Sequence, residues 1–342
     1  MKKLIAFFIT LICVLLPACS FIGTQNTTPT SPSPRQITTQ TTPQNPFDSL
    51  VTEPHDSIAP VLQMIQGAEK SIDLVMYELE DTQIENALIS AEKNGVAVRV
   101  LLNEGDYGAQ PSSYSAAAYQ YLRAGGVSVH WSPSYFALTH QKTMIVDGNQ
   151  AVIMTFNLTP QYYSTDRDFG IVDKDPEDIA AVETAFNDDW QDKKDTAAPG
   201  DDLVWSPGAD TELLAMINNT RSSLCIENEE MSDTPVVNAL ISAAKLGVKV
   251  EIVMTYSSNW SASFTKLAAA GVAIRTYAAN ASLYIHAKLI LSDADIAFVG
   301  SQNFFSSSLQ DNRELGIMLT DANIINSKSA TFQDDWLGGT PY

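Results

Sequence analysis

The chain contains an internal repeat, and this repeat constrains the fold more than any other feature of the sequence. The tetrapeptide ALIS at residues 87–90 recurs at 239–242, and GVAV at 95–98 matches GVKV at 247–250, each 152 positions later. From Phe47 onward, helical and strand-like hydrophobic periods alternate, which favours an α/β class. Two homologous halves in one chain predict a bilobal pseudo-dimer whose equivalent elements meet at a two-fold axis.

The repeat also predicts where elements and domains end. Each Gly-Val step is typical of a helix that ends at glycine and a buried strand that starts after it. Further along, the offset falls to 146, because FNDDW at 186–190 recurs as FQDDW at 332–336. The difference predicts an insertion in the Gly/Ser/Tyr-rich loop near residues 104–115. The halves are expected to meet near residues 194–202, where proline and glycine break a helical pattern. The predicted limits are residues 47–195 for the first repeat and 196–342 for the second.

The amino terminus has the pattern of an export signal. Within residues 1–19, lysines precede an apolar run, Leu4–Leu16, that is too short to span a bilayer. The run ends at Leu-Pro-Ala-Cys, which resembles the processing site of a bacterial lipoprotein and implies acylation of Cys19. The sequence thus predicts a secreted lipoprotein of the cell envelope, anchored to a membrane through Cys19; the alternative is an ordinary signal peptide. Residues 20–46 are rich in Thr, Ser, Pro and Gln and are expected to form a disordered linker.

Composition excludes several classes of protein. The chain has 342 residues, 45% of them hydrophobic, so it can bury a sizeable core. With 40 acidic and 20 basic residues, the formal net charge of −20 argues against a chain-wide nucleic-acid footprint and against a polybasic membrane patch. The chain contains 3 cysteines, two of them in the export signal, so a disulfide scaffold is excluded.

Residues with chemical potential occur in matching positions in the two halves. His140 and Lys142 in the first half match His286 and Lys288 in the second, 146 positions later. The further matches at this offset are Asp147 with Asp293, Thr155 with Ser301, Asn157 with Asn303, Arg167 with Arg313, and Asp168 with Glu314. A single His-x-Lys pair is a weak signal, but two copies in a duplicated frame are a strong one.

Strand geometry explains the spacing of these residues. Side chains alternate between the two faces of a strand, so the histidine and lysine of each pair are expected to share a face. After a turn, the next strand is expected to carry Thr155 and Asn157 on that face in the first half, and Ser301 and Asn303 in the second. The motif aspartates have the opposite parity and are predicted to form the turns and support the site rather than bind substrate.

These residue types suit the cleavage of a phosphodiester. Two lysines and two asparagines stabilise negative charge on the non-bridging oxygens. A neutral imidazole attacks phosphorus, and a second, protonated imidazole gives a proton to the leaving alkoxide and then activates water. Histidine titrates near neutral pH, which suits both tasks. Neither a metal nor a cofactor is expected, because the sequence shows no cluster of metal ligands.

The pattern HxKxxxxD followed by GSxN resembles the phospholipase D superfamily of phosphodiesterases, over roughly residues 48–337. The resemblance implies two α/β sandwich repeats, each a mixed sheet flanked by helices, and a phosphohistidine formed on His140. It also implies an acid that fixes the tautomer of each imidazole, for which Asp168 and Glu314 are the candidates. The first copy departs from GSxN at Met154, whose bulk is expected to hinder the approach of a phosphate to the backbone. Arginines 167 and 313 are expected to form salt bridges with neighbouring acids.

The candidate site residues are His140, Lys142, Asp147, Asn157, Asp168, His286, Lys288, Asp293, Ser301, Asn303 and Glu314, with Cys19 as the lipidation site.

Four functions fit this pattern. Hydrolysis of phospholipid headgroups is favoured, because the predicted anchor places the chain beside phospholipid. A metal-independent nuclease of the same fold is the alternative enzyme, since an acidic chain can still carry a local basic groove. Transfer of the cardiolipin-synthase kind is less favoured, because the membrane helices usual in that group are missing. Outside the enzymes, the alternative is a surface lipoprotein that binds phosphate or lipid through a decayed site. In each case the site is expected to form within one chain, and the oligomeric state is left open.

Overall fold

The computed structural model describes residues 47–105, 113–194 and 200–342. The predicted signal peptide, its Cys19 and the predicted linker lie outside the described residues, as do parts of the predicted insertion loop and boundary segment. The described residues belong to one compact unit, Asn45–Tyr342. In this described part of the chain, no helix has the length and apolar character needed to cross a membrane.

The elements follow the same basic order in both halves, and the second half adds β12, α8 and β16. The first half contains β1 (Phe47–Glu53), α1 (Ala59–Gly67), β2 (Ser71–Met76), α2 (Thr82–Lys93), β3 (Ala97–Leu102), α3 (Ser113–Ala124), β4 (Ser128–Trp131), β5 (Thr143–Val146), β6 (Gln150–Met154), β7 (Asp166–Asp173) and α4 (Pro176–Trp190). The second half contains β8 (Leu203–Ser206), α5 (Asp210–Asn219), β9 (Ser223–Glu227), α6 (Thr234–Lys245), β10 (Lys249–Thr255), α7 (Ser261–Ala269), β11 (Ala273–Tyr277), β12 (Tyr284–Ile285), β13 (Leu289–Ser292), β14 (Ile296–Gly300), α8 (Ser306–Gln310), β15 (Glu314–Leu319), α9 (Ala322–Gly338) and β16 (Thr340–Pro341).

Each half forms a mixed sheet. The first sheet has the order β1-β7-β6-β5-β2-β3-β4, and the second β16-β11-β10-β9-β13-β14-β15-β8. The pairs β2–β3 and β9–β10, each connected through a helix, are parallel, whereas β14 and β15, which are connected through α8, pair antiparallel. The strands that follow each His-x-Lys motif pair antiparallel, as β5 does with β6 and β13 with β14. The predicted class, two mixed α/β repeats, is confirmed.

The repeated segments form equivalent elements for local reasons. Helices α2 and α6 each begin after an aspartate, Asp81 or Asp233, whose side chain accepts a backbone N–H of the first turn. Both helices end just before a glycine in the left-handed region, with φ of 94° at Gly95 and 95° at Gly247. Such a conformation suits glycine, so the predicted helix-to-strand steps are confirmed.

Three hydrophobic cores hold the unit together. One core in each half packs the helices on one face of that half's sheet. The third core lies between the halves and combines residues of both sheets with residues of α4 and α9, including Phe186 and Phe332. The predicted pseudo-dimer therefore has a shared interior, in which the two halves bury the second face of each sheet against each other.

Two buried ion pairs cross from one half to the other. The Arg167 guanidinium donates to Asp335 on α9 with N···O distances of 2.5 and 2.8 Å. Its counterpart Arg313 donates to Asp189 on α4 with distances of 2.7 and 2.9 Å. The predicted salt bridges of both arginines are confirmed. Each arginine pairs with an aspartate of the opposite half. These two-pronged contacts fix the relative orientation of the halves.

Candidate active site

The two motif histidines line the same cavity. This cavity has a volume of about 610 Å³ and is lined by residues of both halves, among them His140, Asn157, His286 and Asn303. The two imidazole side chains are exposed to a similar degree, 12% and 13%. Two imidazoles that come from different halves and face one space can act on opposite sides of one reacting atom.

Each histidine is held by the backbone of the opposite half. The N–H groups of His140 and Gln141 both donate to the carbonyl of Arg313 at 2.9 Å. In the same way, the N–H of Ala287 donates to the carbonyl of Arg167 at 2.8 Å. The prediction that each His-x-Lys triplet lies within a strand is wrong, because β5 and β13 begin only after the lysines. Each triplet bonds to both halves: its first residues donate to an arginine carbonyl of the opposite half, and the carbonyl of its lysine accepts the N–H of Met154 or Gly300 of its own half.

The two candidate acids also cross between the halves. Nδ1 of His140 lies 2.8 Å from Oε2 of Glu314, on β15 of the second half. Nδ1 of His286 lies 3.0 Å from both carboxylate oxygens of Asp168, on β7 of the first half. When Nδ1 donates to a carboxylate, the lone pair of a neutral ring is on Nε2, the nitrogen available to a substrate. Each half thus supplies the acid that orients the other half's histidine.

Burial sets the protonation of the first histidine and its acid. Burial lowers the pKa of His140, and the adjacent Glu314 partly opposes this effect. Burial alone would raise the pKa of Glu314, but His140, Lys142 and the Asn312 amide lower it below its ordinary value. The Glu314 carboxylate also accepts hydrogen bonds from Ser308 and Asn312, at 2.6 and 3.0 Å. This acid is therefore a fixed anion behind a neutral imidazole.

The two motif lysines lie behind the histidines. In each half the lysine Nζ donates to the carbonyl of the histidine two residues earlier, at 2.6 Å. Lys142 is 1% exposed, and burial lowers its pKa to about 7. Lys288 also donates to Glu229 at 3.2 Å. An ammonium has three N–H groups, so each lysine retains donor capacity for a bound anion.

The two asparagines reach the cavity, although not from the strands that were predicted. Strands β6 and β14 end at Met154 and Gly300, so Asn157 and Asn303 lie in the loops that follow. Both asparagines line the cavity. Their Oδ1 atoms are buried and accept no hydrogen bond within the described part of the chain. The group of each asparagine that can donate to a phosphate oxygen is its Nδ2 amide, which in Asn303 donates to Glu229 at 3.3 Å in this structure.

The paired hydroxyls do not share this face. Thr155 donates to Asp168 and accepts the N–H of Phe169 at 2.9 Å. The Ser301 hydroxyl accepts the backbone N–H of Leu315 at 3.2 Å. Neither residue is among those that line the cavity, so the expectation that each half presents a hydroxyl to the substrate is corrected. Thr155 instead positions the acid that orients His286.

The motif aspartates lie at turns, as predicted. Asp147 and Asp293 adopt positive φ values of 56° and 53°. The Asp147 carboxylate accepts backbone N–H groups of residues 69–71, and Asp293 does the same with residues 221–223. Burial alone would raise the pKa of each carboxylate, but these hydrogen bonds together lower it below its ordinary value. Both residues lie outside the cavity lining and tie β5 and β13 to the preceding strands.

Comparison with known proteins agrees with this arrangement. A family model described as "Cardiolipin synthase, PLD-like domain" matches residues 61–190 and, a second time, residues 213–336. The chain belongs to this phospholipase D-like family. The two matches correspond to the two mixed sheets and contain both His-x-Lys motifs.

Curated relatives of this PLD-like protein include bacterial cardiolipin synthases. Cardiolipin synthase 2 of Bacillus anthracis is 24% identical over 337 residues, covering 83% of this chain and 63% of that protein. The major cardiolipin synthase ClsA of Bacillus subtilis (strain 168) is 26% identical over 336 residues, covering 84% of this chain and 68% of the relative. The chain thus spans less than two thirds of the Bacillus anthracis protein.

Solved structures share the fold of this PLD-like protein. The phosphatidylserine synthase of Haemophilus influenzae Rd KW20 gives a TM-score of 0.68 at 12% identity and covers 87% of both chains. A polyphosphate kinase from Porphyromonas gingivalis gives a TM-score of 0.65 at 15% identity, covering 84% of this chain and 46% of the other. At these identities, the likeness concerns the fold alone.

Met154 does not obstruct the PLD-like cavity. Its side chain is fully buried in the core of the first half and does not line the cavity. The glycine at the equivalent position, Gly300, is required by strand packing, since an added Cβ would lie 2.5 Å from Cα of Gly316. In the first half, Met154 pairs with Gly170. The expectation that Met154 hinders a phosphate is therefore wrong.

The structure adds Glu229, a residue that the motifs did not indicate. Its carboxylate accepts from Lys288 at 3.2 Å, from Asn303 at 3.3 Å and from the Tyr284 hydroxyl at 3.2 Å. It also lies 3.5 Å from Nε2 of His286. Burial alone would raise the pKa of Glu229, but Lys288 and His286 hold it below its ordinary value. This anion occupies donors that a phosphate would use in the second half.

The repeat gives no signal for Glu229, because the two halves carry different residues at this position. At the offset of 152, its counterpart is Tyr77, whose ring packs edge-on against His140 with centroids 4.7 Å apart. The position beside the catalytic imidazole is thus aromatic in the first half and anionic in the second. The two halves are alike in the histidines and asparagines that line the cavity and in the buried lysines behind them, which do not line it, and they differ in this neighbour.

Further acids line the cavity. Burial raises the pKa of Glu53 to about 9, with Asp168 and Asp166 contributing. Burial likewise raises the pKa of Asp166 to about 6 and that of Glu230 to about 7. Asp166, Asp168 and His286 also place possible ligand atoms within 4.8 Å of one another. Asp168 and His286 already bind each other, so a metal at this place would disrupt the pair that orients the ring.

Proposed function

We propose that the protein cleaves the phosphodiester of a phospholipid headgroup through a phosphohistidine intermediate. The observation that carries the proposal is that two imidazoles from the two halves line one cavity, each with Nδ1 on a carboxylate of the opposite half. This leaves two Nε2 atoms for the two tasks that the reaction requires. The cardiolipin synthase relatives support a phospholipid substrate.

In the first step, Nε2 of His140 attacks phosphorus and a P–N bond forms while the P–O bond to the leaving group breaks. The leaving oxygen takes a proton from His286. In the second step, His286 removes a proton from water, whose oxygen attacks phosphorus and releases His140. Lysines and asparagines of both halves stabilise the charge on the non-bridging oxygens.

The surroundings of the histidines support this division of tasks. Burial lowers the pKa of His140, which keeps the lone pair of a nucleophile. Oxygens of Asp168 and Glu229 face the two ring nitrogens of His286, at 3.0 and 3.5 Å. In a protonated ring, Nδ1–H donates to Asp168, and Nε2–H, 3.5 Å from Glu229, is the proton left for the leaving oxygen, which suits a general acid.

The acceptor in the second step decides between hydrolysis and transfer. Water gives phosphatidic acid, and we propose hydrolysis as the first function. An alcohol in the same position gives a new phosphodiester, and the cardiolipin synthase relatives favour this second candidate. A nuclease is less favoured, because the acidic residues of the cavity wall repel a polyanion.

Vesicles of phosphatidylcholine and phosphatidylglycerol, incubated with the full-length protein in mild detergent without added metal, test this function. Lipid mass spectrometry is expected to show phosphatidic acid with free headgroup for hydrolysis, or cardiolipin with glycerol for transfer. His286→Asn should abolish either product, whereas His130→Asn, an exposed histidine outside the cavity, should not. Product formation that survives His286→Asn, or cleavage of plasmid DNA with intact lipids, contradicts the proposal.

The proposed location is a membrane surface of the cell envelope, with acylated Cys19 as the anchor. Two or more acyl chains are needed for stable anchoring, which lipoprotein processing supplies. Mass spectrometry of the purified amino-terminal peptide is expected to show acylated Cys19, and Cys19→Ser is expected to move the protein from the membrane to the soluble fraction. An unmodified Cys19 peptide in the membrane fraction contradicts this location.

A further inference from the structure

Four aspartates gather where the chain passes from the first half into the second. Asp173 is the last residue of β7, Asp178 lies in the first turns of α4, and Asp201 and Asp202 precede β8. Carboxylate oxygens of Asp178, Asp201 and Asp202 lie within 4.8 Å of one another. None of the four residues lines the catalytic cavity, so this is a separate place in the molecule.

Two of these carboxylates are buried, and each has one oxygen that accepts no hydrogen bond from a described residue. Asp173 and Asp178 are both 0% exposed. One oxygen of each accepts a backbone N–H, from Asp175 at 2.8 Å and from Asp201 at 2.9 Å. The other oxygen, Oδ2, accepts no hydrogen bond from any residue that the structure describes. A buried carboxylate oxygen with no donor is costly, and it points to a ligand that the chain itself does not supply.

No basic side chain balances the charge of the cluster. Within the ranges that the structure describes, the aspartate salt bridges involve other residues, and none of these four aspartates takes part in one. Lys174, the nearest lysine in sequence, donates to Asp48 instead. The cluster therefore collects negative charge beside a buried pair of acids that lie against each other, which is unfavourable unless a cation or a shared proton is bound.

The repeat shows that the fold does not require these acids. At the offset of 146, Asp173 corresponds to Leu319 and Asp178 to Ile324, which are 0% and 4% exposed. The helix start is otherwise the same, since Asp175 caps α4 as Asp321 caps α9. The second half therefore packs this corner with apolar side chains, whereas the first half buries two carboxylates. Packing alone does not account for that difference.

From these observations we infer a calcium site formed by Asp178, Asp201 and Asp202, with Asp173 directly behind it. Oxygen donors alone suit a hard cation, and a Ca²⁺–O distance of about 2.4 Å allows ligand oxygens to lie up to about 5 Å apart. The observed spread of 4.8 Å fits that limit. Mg²⁺, with Mg–O distances of about 2.1 Å, requires a tighter octahedral set.

Such an ion would tie the segment between the halves to the first half. Gly200 passes against the cluster with φ of 65°, and an added Cβ would lie 2.4 Å from Oδ1 of Asp178. The N–H of Asp201 already donates to that same oxygen. The cation thus acts on the stability of the junction between the halves, and it takes no part in the proposed chemistry.

Calorimetric titration of CaCl2 into the full-length protein, freed of metal by a chelator, tests this inference. One Ca²⁺ is expected to bind per chain, with a rise in Tm of several degrees at saturation. Asp201→Asn changes an exposed residue and is expected to weaken binding at least tenfold while leaving the Tm of the metal-free protein unchanged. Asp178→Asn should weaken binding further, and Glu183→Gln, elsewhere on α4, should leave it unchanged.

Three results overturn the calcium site. The first is no binding heat and no change in Tm up to millimolar CaCl2. The second is binding that Asp201→Asn and Asp178→Asn leave intact, since the ion then binds elsewhere. The third is a protein that is stabilised by mild acid and is indifferent to CaCl2, since a proton shared by Asp173 and Asp178 then replaces the ion.

Discussion

Glu229 occupies donors that a phosphate needs in the second half of the site. Its carboxylate interacts with Lys288, Asn303 and His286 at 3.2 to 3.5 Å. Two like charges about 4 Å apart repel by about 4 kcal/mol at an effective dielectric constant of about 20. A substrate phosphate must therefore displace this carboxylate or bind next to it. We expect Glu229 to lower the affinity of the free site for phosphate.

We expect Glu229→Gln to bind inorganic phosphate at least tenfold more tightly than the wild type. The amide retains the shape and one oxygen acceptor but removes the charge. Isothermal titration with phosphate measures the effect, and Glu230→Gln, which changes the cavity acid next in sequence, is the matched control, because Lys288 forms its ion pair with Glu229. Weaker phosphate binding in Glu229→Gln would show that the carboxylate assists the anion instead.

The pH profile follows from the two buried groups of the first motif. His140 must be neutral to attack phosphorus, and its pKa is lowered by burial, so activity is expected to fall only as the pH drops below about 6.5. Lys142 must be charged to hold phosphate, and its pKa is lowered to about 7, so kcat/KM is expected to fall above that pH. Bound phosphate favours the charged lysine, and the basic limb of kcat should therefore lie higher than that of kcat/KM.

Lys142→Arg separates these two limbs. A guanidinium stays charged throughout the working range, so the basic limb of kcat/KM should move upward while the acidic limb stays in place. The measurement is the pH dependence of kcat and kcat/KM on a short-chain phospholipid. An unmoved basic limb in Lys142→Arg would mean that another group controls it.

At the scale of elements, the cross-half ion pairs place the catalytic backbone. The Arg313 side chain binds Asp189 of α4, and its carbonyl accepts the N–H groups of His140 and Gln141. Arg167 does the same for the other histidine, through Asp335 and Ala287. Each arginine therefore binds the last long helix of the opposite half through its side chain and positions a motif histidine of that half through its carbonyl.

Arg313→Met is expected to destabilise the protein by about 3–5 kcal/mol, because it leaves the Asp189 carboxylate buried and unpaired. The double variant Arg313→Met/Asp189→Leu should recover most of that free energy of unfolding, since it buries no unpaired charge. Chemical denaturation of the three proteins gives both values. A double variant no more stable than Arg313→Met would show that the arginine contributes through contacts other than this pair.

Much of this element order could be predicted from the sequence, because the repeat carries local signals. The Gly95 and Gly247 steps mark helix ends, and the matched offset pairs the motif residues with their counterparts. The limits of the motif strands could not be predicted, because the backbone N–H groups at the start of each His-x-Lys triplet donate to the opposite half rather than to an adjacent strand. Alternation of side chains therefore predicted a hydroxyl face that Thr155 and Ser301 do not form.

The sequence also could not predict that each acid contacts the histidine of the opposite half. Asp168 and Glu314 each stand 28 positions after a histidine, so the spacing alone cannot tell which ring each acid contacts. The packing of the two halves determines which imidazole each acid contacts, and in both cases it is the imidazole of the opposite half. Glu229 was missed for a related reason: its counterpart is Tyr77, and a search for equal residues in the two halves passes over positions where they differ.

At the scale of the whole molecule, the site depends on both halves at once. Each histidine takes its backbone partner and its acid from the opposite half, so neither half alone assembles a complete catalytic group. The two halves carry the same residue types at the positions expected to face phosphorus. They differ at the neighbouring position, which is Tyr77 in the first half and Glu229 in the second. A duplicated fold thus presents a two-sided site whose sides are unequal, with the proposed nucleophile on one side and the proposed proton donor on the other.

The central claim is that His140 attacks phosphorus while His286 supplies and removes protons. His286→Asn, given a phosphodiester with a p-nitrophenyl leaving group, tests it most directly. That leaving group needs no protonation, so the first step can proceed while the second cannot. We predict a stoichiometric burst of p-nitrophenol and a phosphorylated adduct that mass spectrometry locates on His140, with neither in His140→Asn. An adduct on any other residue, or no burst with either variant while the wild type turns over, would contradict the account.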